Sequence, residues 1–297
     1  MILNEFKHRF NKNKTIGFIF ILPALILNLV FFVYPLITAF RMSFYNWPVL
    51  GDKEFLALSN YESLFQDIQF WNALGFTFEY TILVTPALFI LAFVLAMLIR
   101  KPSPGTTFFR SVYFLPVVIS MTSCSLLWLW IYNDLHGILN FYLMRIGLIN
   151  EAIVWMGNKS TSLPAISTMV TWKMAGFTMI ILLAGLQSIP KQLYEAAEVD
   201  GASYLQKITK ITIPLLRPSI ALSLVVSVIG SVLAFVQFVI MTRGGPANTT
   251  TTIVHHIYNT SFRYFRLGYG SAMGMILLVI MIALSWIQIK IISDTTN

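Results

Sequence analysis

Charged residues in this chain are spaced so that six long apolar stretches stand between them. A charge at the centre of a bilayer is costly, so a charge-free run of sufficient length marks a span. The stretches cover residues 15–40, 80–99, 111–133, 160–190 (broken only by Lys173), 218–242 and 267–289. At about 1.5 Å rise per residue, each can cross a hydrocarbon core about 30 Å thick as a helix. Helix is the expected form because a backbone in lipid must satisfy its own polar groups. The pattern therefore predicts an all-α polytopic membrane protein with six transmembrane helices at 15–40, 80–99, 111–133, 163–189, 218–242 and 267–289. The connecting segments of note are a basic tail at 1–14, a long loop at 41–79 and a mixed segment at 190–217. The first stretch is too long for a typical signal-peptide core and no small-residue cleavage site closes it, so it is expected to remain as a span.

Composition points the same way. Of 297 residues, 57% are hydrophobic and 11% charged, against about 25% charged in soluble globular proteins. Cys124 is the only cysteine, which excludes an internal disulfide framework and a multi-Cys zinc site. The net charge of +8 does not imply nucleic acid, because the basic residues sit between apolar runs, where they set topology. With the amino terminus inside, the inner segments hold Lys7, Arg9, Lys12, Lys14, Arg100, Lys101, Arg110, Lys191, Lys207, Lys210, Arg217 and Lys290. The outer segments hold the smaller set Arg41, Lys53, Arg145, Lys159, Arg243, Arg263 and Arg266. Both termini are therefore expected in the cytoplasm. The three arginines of the last outer loop run against the trend. Loop 41–79 would then be outside, and its aromatics, among them Tyr45, Trp47, Tyr61, Phe65, Phe70 and Trp71, suit an interfacial belt and cap or a platform for an external partner.

The segment between the fourth and fifth spans is neither apolar enough to cross nor polar enough to be a plain linker. Pro190 is suited to open a helix, which continues through Leu193, Tyr194, Glu195, Ala196, Ala197 and Glu198 until Asp200 and Gly201 stop it. A second helix is expected from Ser203, with Tyr204, Ile208 and Ile211 as an apolar stripe and with Pro214 and Pro218 ending it. Such a hairpin can be an amphipathic element lying on the inner surface or a rigid knob that transmits a push.

The run Glu195, Ala196, Ala197, Glu198, Val199, Asp200, Gly201, Ala202, with Ile211, Ile213, Pro214 and Pro218 downstream, resembles the EAA loop of binding-protein-dependent ABC importer permeases. It departs where many members carry Phe, here Ile208, and where Leu commonly precedes the proline, here Ile213. The resemblance extends along the chain. Leu22, Pro23, Ala24 with Tyr34, Pro35 is similar to the first span of carbohydrate permeases of the maltose and glycerol-phosphate type. So are Asn60, Tyr61 with Phe70, Trp71, Asn72, Ala73, Leu74, and Gly244, Gly245, Pro246 with Thr249–Thr252 and Ile257, Tyr258. This implies the type I ABC importer permease fold, with an ABC transmembrane domain over about 72–289. It also implies a heterodimer with a second permease subunit, two copies of a cytoplasmic ATPase subunit and an extracytoplasmic solute-binding protein, in a bacterial or archaeal plasma membrane. The ATPase-coupling residues it carries over are Glu195, Ala196, Ala197, Asp200, Gly201, Ile208 and Pro214, with Glu195 meeting a basic residue of the ATPase and Gly201 making the turn. ATP and Mg are used by that partner, and no cofactor is expected on this chain.

Within the sequence itself there is no Gly-x-x-x-x-Gly-Lys-Ser/Thr phosphate loop and no paired-carboxylate or nucleophile constellation, so the chain is not expected to be an enzyme. Lys173, mid-span beside Trp172, is expected to line the solute pathway, the alternative being a pair with an acid on a neighbouring chain. Gln237, between Phe235 and Phe238, offers an amide and rings to a hydroxylated solute or packs against another helix. His255 and His256, about 100° apart if helical, are expected as a solvated loop pair rather than metal ligands. No metal site and no nucleic-acid partner is expected; membrane lipid surrounds the spans. An ion-gradient secondary carrier would require coupling acids, and the six charge-defined spans contain no Asp or Glu. A membrane anchor without transport would have no need of the hairpin.

Overall fold

The computed structural model describes residues 18–100 and 104–294. In chain order it places α1 (Phe18–Met42, with a wider π turn at Leu29–Val33) and a small antiparallel hairpin, β1 (Tyr45–Asn46) with β2 (Glu54–Phe55). α2 (Ser59–Phe65), α3 (Ile68–Leu98), α4 (Thr106–Val118), α5 (Met121–Ile131), α6 (Ile138–Arg145) and α7 (Lys159–Ser188) follow. The remainder is α8 (Lys191–Val199), α9 (Tyr204–Lys207), a π turn at Ile208–Thr212, α10 (Ile213–Val232), α11 (Val236–Met241), α12 (Ile253–Tyr258) and α13 (Leu267–Asp294). Among the described residues five helical runs are long and apolar enough to cross a membrane, or six when the bent pair α4–α5 is counted as one span. The basic tail 1–14 and the first residues of the expected first span lie outside the described residues.

The helices depart from the pattern read in the sequence at four places. α3 begins at Ile68 rather than 80, so residues 68–79 are helix and not loop. Asp67 caps it by accepting from the amides of Gln69 and Phe70, and Glu79, half exposed within the helix, pairs with Lys159 at 2.5 Å. The third span is not straight. α4 and α5 meet at 96°, because Ile119 and Ser120 are extended and the Ser120 hydroxyl caps α5 at the Ser123 amide. Pro214 does not end the second hairpin helix: the run from Tyr204 continues into the fifth span. A proline lacks the amide hydrogen and crowds the preceding turn, and the π turn immediately before Pro214 widens the helix there. The fifth span itself is interrupted between α10 and α11.

The described chain divides into two compact units, residues 18–66 with 257–278, and residues 67–256 with 279–294. In the first, the Asn60 amide donates to the carbonyls of Ser43 (2.9 Å) and Tyr45 (3.0 Å), and the Ser43 and Tyr61 hydroxyls are 2.7 Å apart. The Asn-Tyr pair thus has a structural role, since it closes the loop that follows α1. Gly268 approaches the Tyr45 carbonyl so closely that a Cβ would collide with it. α1 buries none of its apolar residues within the chain, as suits a helix whose solvent is lipid.

The second unit is built on α3 and α7. α3 turns Phe70, Ala73, Phe76, Thr77, Tyr80, Val84, Leu88, Ala92 and Ala96 inward at helical spacing. One core layer joins Phe76, Tyr80 and Phe238, whose rings pack edge to face at 5.3 and 5.0 Å. A second joins Ala92, Ala96, Met179, Leu182, Leu186 and Leu216. At the bend of the third span the Lys173 ammonium donates to the carbonyls of Pro116 (3.1 Å), Val117 (3.2 Å) and Ile119 (2.5 Å). One turn further along α7, a Cβ on Gly176 would run into the backbone of Tyr113 and Phe114, so α4 lies directly on α7, as small residues allow between membrane helices.

Lys173→Met should leave the three carbonyls without their donor, and each buried unsatisfied group costs about 1–3 kcal/mol. The expected result is a clear drop in the thermal unfolding midpoint of the detergent-solubilised protein, with Leu222→Met on the exposed face of α10 as a silent control. An unchanged midpoint for Lys173→Met would remove the cap from the account of the bend.

Candidate functional site

The hairpin between α7 and α10 is the segment most constrained at its turn. α8 ends on Asp200, and Gly201 follows at φ +73°, a left-handed conformation that glycine takes without penalty. The Ala202 amide donates to the Ala197 carbonyl (2.8 Å) and the Gly201 amide to that of Glu198 (3.1 Å), the pair of bonds that satisfies the last carbonyls of a helix in a Schellman turn. Ser203 then opens α9 with a reciprocal cap: its amide donates to Gln206 Oε1 (2.7 Å) and its hydroxyl accepts from the Gln206 amide (3.3 Å). Both helix ends are closed within four residues, so the angle between α8 and α9 is fixed by hydrogen bonds rather than by packing.

α8 keeps only Tyr194 and Ala197 partly covered. Glu195, Ala196, Glu198 and Asp200 are exposed, as are Leu193 and Val199, the last at 88%. An acidic group thus stands on an uncovered strip of small and branched apolar side chains. Ile208 lies half-buried in the π turn and Pro214 in the first turn of α10. Sequence inspection missed the residues that hold the hairpin down. Tyr194 Oη lies 2.9 Å from Thr212 Oγ1, the Arg100 guanidinium sits over the Tyr194 ring at 5.1 Å, and Lys207 pairs with Glu198 at 2.7 Å. No local signal marks contacts between residues so distant along the chain.

The five residues expected along a solute pathway do not form one open surface. Trp172 is exposed (38%), has its ring tilted against that of Trp128 with centroids 5.6 Å apart and edges a groove of about 270 Å³ between α3 and α7, which Ser167, Thr168 and Thr171 also line. Phe235 is half-buried beside His255, with ring centroids 5.9 Å apart. Gln237 and Phe238 are buried, Gln237 donating to Tyr80 Oη at 3.4 Å. Lys173 is buried too (4%); its three donors, all that an ammonium has, are taken by α4 and the residue that follows it. The histidines are not a solvated pair: His255 and His256 are buried in α12. His256 faces Asp67, Nε2 to Oδ2 at 3.8 Å; burial holds its pKa below the ordinary histidine range while Asp67 draws it upward. Among the described residues no group of three His, Cys, Asp or Glu could hold a metal ion.

Gly201→Ala has no steric obstacle, since nothing lies within 4 Å of an added Cβ, so its cost is that of the left-handed backbone alone, about 1–2 kcal/mol. Amide exchange over residues 196–206 should accelerate accordingly; unaltered exchange would show that the turn does not fix the hairpin.

The family model for "Binding-protein-dependent transport system inner membrane component" matches residues 69–293. The chain is 35% identical over 286 residues to "Probable ABC transporter permease protein YurN" of Bacillus subtilis (strain 168), covering 94% of this chain and 97% of that one. It is 32% identical over 287 residues to "Arabinooligosaccharides transport system permease protein AraP" of the same organism, covering 95% and 90%. A chain in the crystal structure of a bacterial alginate ABC transporter in complex with alginate pentasaccharide-bound periplasmic protein superposes with a TM-score of 0.80 at 26% identity, over 93% of each chain. With a bent third span, a hairpin before the fifth and a match over most of its length, this chain belongs to the binding-protein-dependent transport system inner membrane components, the permeases of ABC importers.

Proposed function

We propose that this chain is one of two different permease subunits of an ATP-driven, binding-protein-dependent importer for a sugar or related polyol, and that α8 with its turn is the element on which a cytoplasmic ATPase subunit docks. The observation that carries the proposal is the hairpin itself: hydrogen bonds fix its turn from both sides while Glu195, Ala196 and Val199 stay uncovered. A stiff element with an open face can pass on a displacement; a flexible one would absorb it. Two copies of the ATPase, one on each permease hairpin, hydrolyse ATP with Mg and supply the free-energy difference between inward- and outward-open states. Glu195 offers its carboxylate to a basic residue of the ATPase, Ala196 and Ala197 allow close approach, Asp200 and Gly201 set the angle, and Ile208 and Pro214 lead into the fifth span.

The carbohydrate assignment is supported by what the relatives are named for, arabinooligosaccharides and alginate, and the partner on the far face is a solute-binding protein. Both termini lie in the cytoplasm in this arrangement, and the chain sits in a bacterial or archaeal plasma membrane surrounded by lipid. Trp172 presents an aromatic face toward the solute path. Lys173, Phe235, Gln237 and Phe238 shape that path from behind by fixing the helices that border it. An ion-coupled carrier loses one argument and keeps another: α3 does contain an acid, Glu79, but it is spent on Lys159.

Glu195→Lys should leave the chain inserted and reduce co-purification of the ATPase subunit at least about five-fold, since a like charge then faces the basic partner. Retention of the ATPase at the parent level would exclude Glu195 from the docking contact.

A further inference from the structure

We propose that Tyr194 is the positioning residue that transmits displacement of α8 into the fifth span, through a hydroxyl bonded into the π turn from which that span rises. The inference rests on the coupling role proposed for the hairpin.

Three contacts bind α8 to the helices beneath it, and their settings differ. The Glu198–Lys207 pair joins α8 to α9, yet the Glu198 side chain is 67% exposed, and an ion pair in water contributes little. It joins α8 to the first turn of the run that continues into the fifth span, ahead of the π turn. The Arg100 guanidinium over the Tyr194 ring reaches toward the end of α3. The third contact, between Tyr194 Oη and Thr212 Oγ1, ends on a fully buried residue. Thr212 Oγ1 also lies 3.2 Å from the Lys207 carbonyl; with the Thr212 proton given to that carbonyl, Tyr194 is the donor to Thr212. A chain of directed hydrogen bonds therefore runs from α8 to Thr212 and back to Lys207 at the end of α9.

Where that chain ends is the informative part. Thr212 closes the π turn Ile208–Thr212, in which the Ile213 amide reaches back to the Ile208 carbonyl. Two residues on, Pro214 has no amide hydrogen to give. A helix carrying an extra residue and lacking a bond in the next turn is least braced at that point, which is where helices bend. A force applied to Thr212 thus acts at the compliant π turn within a long helical run, Tyr204–Met241, while Tyr194 and Ile211 both pack against the core formed by Ala96, Leu186 and Leu216. Tyr194 both seats the knob and aims its motion.

The test uses the assembled transporter in lipid, with full-length chain, second permease and ATPase, in a Cys124→Ala background. Spin labels at Ile180→Cys on α7 and Leu222→Cys on α10, both exposed positions, report the separation of the two spans by electron paramagnetic resonance, nucleotide-free and trapped with ADP and vanadate. The expected result is a nucleotide-dependent change in separation with Tyr194, reduced at least about two-fold by Tyr194→Phe, with ATPase co-purification unaltered. Thr212→Val should reduce it equally, and the double variant no further. Tyr194→Phe keeps the ring and its packing, so a purely structural role predicts the parent's change in full; that outcome, or no change in the parent despite a bound ATPase, overturns the proposal. Failure of the ATPase to co-purify with the parent chain overturns the coupling role instead.

Discussion

Inside hydrocarbon a backbone group that leaves its helix has no water to fall back on, so every interruption of a span must be closed by another part of the protein. The second unit shows this at each of its irregularities. Where α4 stops at the 96° bend, Lys173 supplies three donors to its end. Where α3 stops, Arg110 donates to the Ile99 carbonyl at 3.3 Å. Where the fifth span breaks between α10 and α11, the Thr252 hydroxyl donates to the Ala234 carbonyl at 2.7 Å. Two of the three closures use a cation at the negative end of a helix, where the macrodipole adds to the hydrogen bonds. The breaks are therefore fixed bends, and the helices around them hold defined directions.

The hairpin that precedes the fifth span obeys the same rule in water's reach. Its helix ends are closed by a Schellman turn on one side and a capping box on the other, and one face of α8 stays uncovered. Stiffness and exposure are divided along one helix: Tyr194 and Ala197 look inward, Glu195 and Ala196 outward. The neighbouring residues of the EAA run thus have opposite duties, set by their spacing around the helix.

Much of this was legible from the chain alone, because the signals are local. Charge-free runs overlap the five long apolar helices and the bent pair α4–α5, and Asp200, Gly201 and Ser203 located the turn, since a left-handed residue and an N-cap are properties of single positions. The failures come from partners far apart in sequence. Charge as a criterion cut α3 short at residue 80 because Glu79 is charged; the helix runs on to Ile68, with the half-exposed Glu79 carboxylate paired to Lys159, far along the chain. An isolated lysine in an apolar run reads as a pathway group, and nothing near Lys173 announces that its carbonyl partners are 54 to 57 residues away. Pro214 reads as a stop because the widened turn that accommodates it has no sequence signature.

α1 stands apart from these closures. Its backbone is satisfied internally and its side chains from Phe18 to Met42 are largely exposed, Phe20 at 81% and Phe32 at 71%. A helix that asks nothing of the residues after it can enter the bilayer while the ribosome is still making them. The end of α4, by contrast, meets its cap only once Lys173 has been synthesised.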